Sequence, residues 1–96
     1  MLTKETILDT IKHHMPYFKE SLGVRSIGLF GSYANGYMKE ASDVDLLIDM
    51  PADFSNLCAV WNLLEQEFNT KVDLVRRGAH LRSSFLNAIE KEIIYA

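Results

Sequence analysis

Residues 43 to 48 read Asp43-Val44-Asp45-Leu46-Leu47-Ile48, and their alternation points to a strand with one buried face. Successive side chains of an extended chain point to opposite sides. Val44, Leu46 and Ile48 therefore turn toward a core, and both carboxylates share the other side. Two carboxylates about 7 Å apart along a strand repel each other, a cost in stability unless a cation bridges them. Mg²⁺ suits such a pair because it takes one or two carboxylates and completes its shell with water and substrate phosphates. An isolated Asp-x-Asp is more often a turn followed by a solvated acid, so the flanking segments decide its meaning.

Upstream, Val24 to Phe30 is rich in β-formers and bounded by Gly23 and Gly31, which predicts a central strand buried on at least one face. Gly31-Ser32 follows it directly. Glycine lets the backbone approach a phosphate, and the next amides and the serine hydroxyl can donate to it. No Gly-Lys-Ser/Thr follows the strand, so this is not a Walker loop. Residues 31 to 41 read as a turn with a short helix around Tyr33 to Asn35. Downstream, Lys71-Val72-Asp73-Leu74-Val75 is a third short strand. Its Val72 and Leu74 face one way and Asp73 the other. Asp73 reads equally well as a solvated acid on an edge strand or as a third member of the acidic group.

The remaining segments are helical apart from the C-terminus. Ile7, Leu8, Ile11, Met15, Phe18 and Leu22 keep to one helical face, with Thr3 as N-cap, Gly23 as stop and Pro16 predicting a kink or break. Pro51 and Asp53 open a helix whose Phe54, Leu57, Cys58, Trp61, Leu64 and Phe68 form a core stripe, with Asn69 as its left-handed stop. A last helix carries Leu81, Phe85, Leu86 and Ile89, and Ile93 to Tyr95 adds an edge strand. The fold class is therefore α/β (α+β): one domain over residues 1–96, with a small mixed sheet of three to four strands covered by helices.

Composition narrows the function. A chain of 96 residues with 48% apolar and 24% charged residues makes one packed core. Its longest apolar runs fall far short of the roughly 20 residues that span a bilayer. A net charge of −3 argues against broad capture of nucleic acid, which relies on basic surface. A single cysteine and the absence of a basic region leading into an apolar stretch at the N-terminus predict a cytoplasmic protein.

Taken together, Gly31-Ser32, ten intervening residues and then Asp43-x-Asp45 resemble the signature of the polymerase β-like nucleotidyltransferase superfamily, and within it the minimal nucleotidyltransferases. Asp73 falls where that family's third carboxylate lies, and the likeness covers nearly the whole chain. It departs at Asn35, where the minimal family commonly has arginine. The resemblance implies a nucleotidyltransferase fold, ATP contacts from Gly31, Ser32 and Ser42, and two Mg²⁺ ions held by Asp43, Asp45 and Asp73. Of these acids, Asp73 would contact the ion that activates the attacking hydroxyl. It further implies an antitoxin that transfers AMP from ATP to a tyrosine of a partner HEPN-domain ribonuclease toxin.

Two other readings compete: a non-catalytic antitoxin that neutralises its partner by complex formation, and transfer of a nucleotide to a small molecule. Retention of all three acids favours the enzyme. The short chain leaves little room for a small-molecule acceptor pocket. His13, His14 and His80 read as solvated, and Cys58 and Trp61 as packing residues. Tyr33 and Tyr37, in the phosphate loop, read as exposed aromatics, and Arg76 and Arg77 as a solvated pair within reach of phosphate.

Overall fold

The computed structural model describes residues 2–37 and 42–96. Part of the loop reading over residues 31–41 therefore lies outside the described residues. The elements run α1 (Lys4–Leu22), β1 (Ser26–Phe30), α2 (Ser32–Asn35), β2 (Val44–Asp49), α3 (Phe54–Phe68), β3 (Val72–Arg76), α4 (Ser83–Glu90) and β4 (Ile94–Tyr95). The sheet order is β3-β2-β1-β4. β1 pairs antiparallel with β2 and β4, whereas β2 and β3 are parallel. The expected mixed sheet is present, with β1 inside it.

Helix α1 begins at Thr3, whose hydroxyl accepts from the Thr6 amide, and ends at Gly23 in the left-handed conformation (φ 74°). The helix runs through Pro16 without the break that was one of the two expected outcomes. Lys12, whose carbonyl loses its donor to the proline, is exposed, and so is Pro16 itself. On an exposed side of the helix water can satisfy such a carbonyl, so the helix survives at lower cost than a buried proline would impose.

One face of the sheet carries the main core. Ile7, Ile11 and Phe18 from α1 and Val60 and Leu64 from α3 are fully buried against Ile27, Leu29, Val44, Leu46 and Ile48. Helix α3 is capped by the Asp53 carboxylate on the Asn56 amide and closed by Asn69 at φ 50°. Its core stripe is corrected at the N-terminal end. Phe54 is 77% exposed, while Val60, outside the expected stripe but flanking Leu57 and Leu64 on the helix surface, is fully buried. The buried centre of the helix runs through Val60, Leu64 and Phe68, a face turned roughly 80° away from Phe54 at 3.6 residues per turn. Cys58 and Trp61 are only partly buried. Trp61 Nε1 donates to the Val72 carbonyl (2.7 Å) and Glu65 accepts from the Val72 amide (2.9 Å). Both outward backbone groups of that residue on the edge strand β3 are thereby satisfied.

The opposite face is divided. A second apolar cluster, Phe30, Leu47 and Ile89 with Val75, Leu81, Phe85, Leu86 and Ile93, seats α4 over part of the sheet. Gly28 lies under the chain leading into β4. A Cβ there would stand 2.5 Å from Ile93 Cδ1, so the absence of a side chain lets Ile93 close down on the strand. The rest of this face belongs to the acids.

Candidate active site

Register brings the acids together. Phe30 pairs with Asp45 across β1 and β2, and Asp45 pairs with Asp73 across β2 and β3. Paired residues on adjacent strands point to the same face, with strand axes about 4.8 Å apart. Asp45 and Asp73, 28 positions apart in sequence, thus stand side by side on the face that α4 leaves open. Asp43 lies one residue before β2, half-buried, with its Oδ2 3.8 Å from Lys71 Nζ. Ser42 precedes it, also half-buried.

The electrostatic cost of this arrangement falls on Asp45. Burial pushes its carboxyl pKa up, and the neighbouring charges of Asp73, Asp43 and Glu92 push it further in the same direction. All these causes disfavour the anion, so an added cation would relieve them.

Gly31 sets the opposite wall. It adopts φ 75° and ψ −154° as it leads from β1 into α2, a region accessible essentially to glycine alone. A Cβ on Gly31 would collide with Asp45 Oδ2 and lie 2.9 Å from Asp45 Cγ. The backbone of the Gly31-Ser32 turn therefore passes directly against the Asp45 carboxylate. Ser32 follows at once, at the start of α2. A triphosphate gripped by this loop would lie beside the acids, which is the arrangement a cation bridging phosphate and carboxylate requires.

Among the described residues, no three carboxylate, imidazole or thiol groups converge tightly enough to enclose a metal ion. Mg²⁺ fits this site as an ion that keeps water and takes phosphate oxygens, since Asp43, Asp45 and Asp73 offer only hard oxygen donors and leave much of a coordination shell to the substrate.

One neighbour was not signalled by the sequence. Glu92 Oε1 accepts from the Gly31 amide (3.1 Å) and Oε2 from Asn35 Nδ2 (3.3 Å). In sequence it belongs to Glu90-Lys91-Glu92, a solvated-looking charge run at the end of the last helix. The pairing of β4 with β1 carries it to the Gly31–Asn35 loop.

Other expected residues lie elsewhere. Tyr33 is buried in the main core, which corrects its reading as an exposed loop aromatic, whereas Tyr37 is 79% exposed. Arg76 donates to the carbonyls of Met50 and Arg77, and Arg77 pairs with Glu90 and the Tyr95 hydroxyl. Both arginines are thus engaged in tying strand ends together, not merely solvated. His14 is only partly exposed and pairs with Glu67 (3.1 Å).

Comparison with known proteins agrees with this geometry. The family model described as a nucleotidyltransferase domain matches residues 11–96. The protein adenylyltransferase MntA of Thermococcus cleftensis is 36% identical, over 99% of this chain and 97% of its own. A Methanocaldococcus jannaschii protein assigned as a protein adenylyltransferase, MJ1217, is 35% identical over 99% of each. A solved structure assigned to the minimal nucleotidyltransferases superposes with a TM-score of 0.80 at 23% identity, covering 97% of this chain and 95% of that one. The complex of tri-AMPylated Shewanella oneidensis HEPN toxin with MNT antitoxin gives a TM-score of 0.64 at 18% identity, covering 97% of this chain and 71% of that one. The solved structures, at these identities, establish the shared fold. With the family model matched over most of its length and a relative of 36% identity covered almost completely, the chain belongs to the nucleotidyltransferase family and is an enzyme.

Proposed function

We propose that this chain transfers AMP from Mg²⁺-ATP to a tyrosine hydroxyl of a HEPN-domain partner, and so acts as the antitoxin of that partner. The observation that carries the reading is the close packing of the positive-φ Gly31 against Asp45, with Asp73 in register beside it. A loop suited to phosphate thereby abuts a set of carboxylates suited to a divalent ion. Relatives named as protein adenylyltransferases, and a structural neighbour whose HEPN toxin is AMPylated, support the choice of acceptor class.

In this reading Gly31, Ser32 and Ser42 orient the triphosphate, and Asp43 and Asp45 anchor its ions. Two Mg²⁺ ions, when bound, would neutralise the triphosphate and lower the cost of ionising a phenol whose ordinary pKa is about 10. The tyrosine oxygen attacks the α-phosphorus, forming the ester bond, and the bond from that phosphorus to the bridging oxygen breaks. Pyrophosphate leaves with the electron pair of the broken bond. Asp73, exposed at the strand edge, receives the phenolic proton at its carboxylate and passes it to water.

The test is co-expression with a HEPN-domain partner, followed by intact-mass and peptide analysis. AMP should appear on a partner tyrosine and vanish with Asp43→Asn. A tight, unmodified complex in Mg²⁺-ATP would favour neutralisation by binding alone, and modification of another residue type would overturn the tyrosine assignment.

A further inference from the structure

We propose that Glu92 is a positioning residue for this reaction, a strut from the C-terminal edge of the sheet that holds both ends of the Gly31–Asn35 loop against the acids. The proposal rests on the nucleotidyltransferase reading for its catalytic consequence but not for the contact itself.

Each oxygen of the Glu92 carboxylate has a separate task. Oε1 takes the Gly31 amide at the loop's entrance, and Oε2 takes Asn35 Nδ2. Asn35 in turn uses its Oδ1 to accept from the Tyr37 amide (3.0 Å), at the loop's exit. The Gly31 carbonyl accepts from Ala34 and Asn35 (3.1 Å each). Both backbone polar groups of the positive-φ glycine are therefore fixed, one by the turn itself and one by a side chain 61 positions away.

The base of the strut is also held. The Glu92 and Ile93 amides both donate to the Ile89 carbonyl, at 3.0 and 2.8 Å, closing the turn after α4. Ile93 then sits over Gly28, and Ile94 and Tyr95 pair with β1. Glu92 is thus presented by an anchored turn and is itself half-buried. Its charge adds to the acidic group, yet its oxygens face the loop amide and carboxamide rather than the acids' open side. A loop held by a charge-assisted bond at one end and a relay through Asn35 at the other keeps Gly31 pressed against Asp45 before nucleotide arrives.

The relay can be tested by exchanging its polarity. Glu92→Ala removes both bonds. Glu92→Gln keeps an acceptor for Gly31 but sets an amide against the Asn35 amide. Asn35→Asp sets a carboxylate against Glu92. The combination of Glu92→Gln with Asn35→Asp restores a donor and an acceptor in reversed order, so its coupling should be favourable. Gly31 amide exchange, read by NMR on the protein without ligand, reports the strut directly. We expect Glu92→Ala to speed that exchange and raise KM for Mg²⁺-ATP, each about tenfold, the worth of one charge-assisted bond. Its kcat should move much less, and the double variant should recover toward wild type beyond either single change.

Unchanged Gly31 exchange in Glu92→Ala would overturn the contact. Tighter nucleotide binding by Glu92→Ala would overturn positioning, because the carboxylate would then be competing with phosphate. A double variant no better than its worse parent would overturn the relay through Asn35. If Gly31 is protected through Glu92 and the wild type nevertheless binds no Mg²⁺-ATP, the strut stands and the proposed transfer of AMP from Mg²⁺-ATP falls.

Discussion

Asp45→Asn should stabilise the metal-free protein while removing its response to Mg²⁺-ATP. The folded chain holds the Asp45 proton more tightly than the unfolded chain, because burial and the charges of Asp73, Asp43 and Glu92 all disfavour the anion. Ionisation therefore costs stability. The cost is absent below pH 3.8, the ordinary value, grows as pH rises toward the raised folded value, and is complete above it. Two carboxylates about 6 Å apart repel by ~0.7 kcal/mol in water and ~2.8 kcal/mol at an effective dielectric constant of 20. Asp73 is exposed, so screening favours the lower part of that range, about 1 kcal/mol. In a domain of this size that is a rise in Tm of about 4–8 °C. The assay is thermal unfolding of both proteins in chelator and in Mg²⁺-ATP, from pH 3.5 to 8. The variant's advantage should open with rising pH, and only the wild type should gain from ligand. A variant melting at or below wild type at pH 7.5 in chelator would refute the electrostatic reasoning. Equal stabilisation of both by Mg²⁺-ATP would refute the placement of the ion.

Three further outcomes follow from the same geometry. Asp73→Asn should bind Mg²⁺-ATP about as well as wild type but slow single-turnover transfer by about 10²- to 10⁴-fold; a wild-type rate would remove Asp73 from the proton path. Gly31→Ala should lose about 1–3 kcal/mol in urea unfolding and most nucleotide affinity, since it forces a Cβ into Asp45 at a positive φ; a neutral result would show that the loop is not built as described. Trp61→Phe should cost about 1 kcal/mol by the same assay, leaving the Val72 carbonyl without its indole donor, and nucleotide binding should not change.

What could be read in advance depended on how local its cause was. Alternation in residues 43–48 and the 3.6-residue spacing in α1 are local signals, and both elements formed where they predict. Pro16 did not break its helix, because the cost of a proline depends on whether the freed carbonyl can be satisfied, a tertiary fact that spacing does not carry. Phe54 misled because a broad helical stripe does not say which of its flanks meets the core: the buried face runs through Val60, Leu64 and Phe68.

The site divides in the same way. Asp43 and Asp45 announce themselves by adjacency, and Asp73 could be placed on the correct face by alternation alone. Its meeting with Asp45 required the parallel register of β2 and β3. Glu92 had no local signal, because its position depends on the antiparallel return of the last few residues along β1. The two kinds of residue differ in physical role as well. The adjacent acids concentrate like charge, which raises the cost of the empty site and favours a cation. Glu92 instead satisfies a backbone donor and a carboxamide whose positions are set by a strained turn. Removing the first kind should therefore stabilise the metal-free fold at neutral pH, whereas removing the second should loosen it. This opposition in sign distinguishes a charge placed for function from a charge placed for geometry.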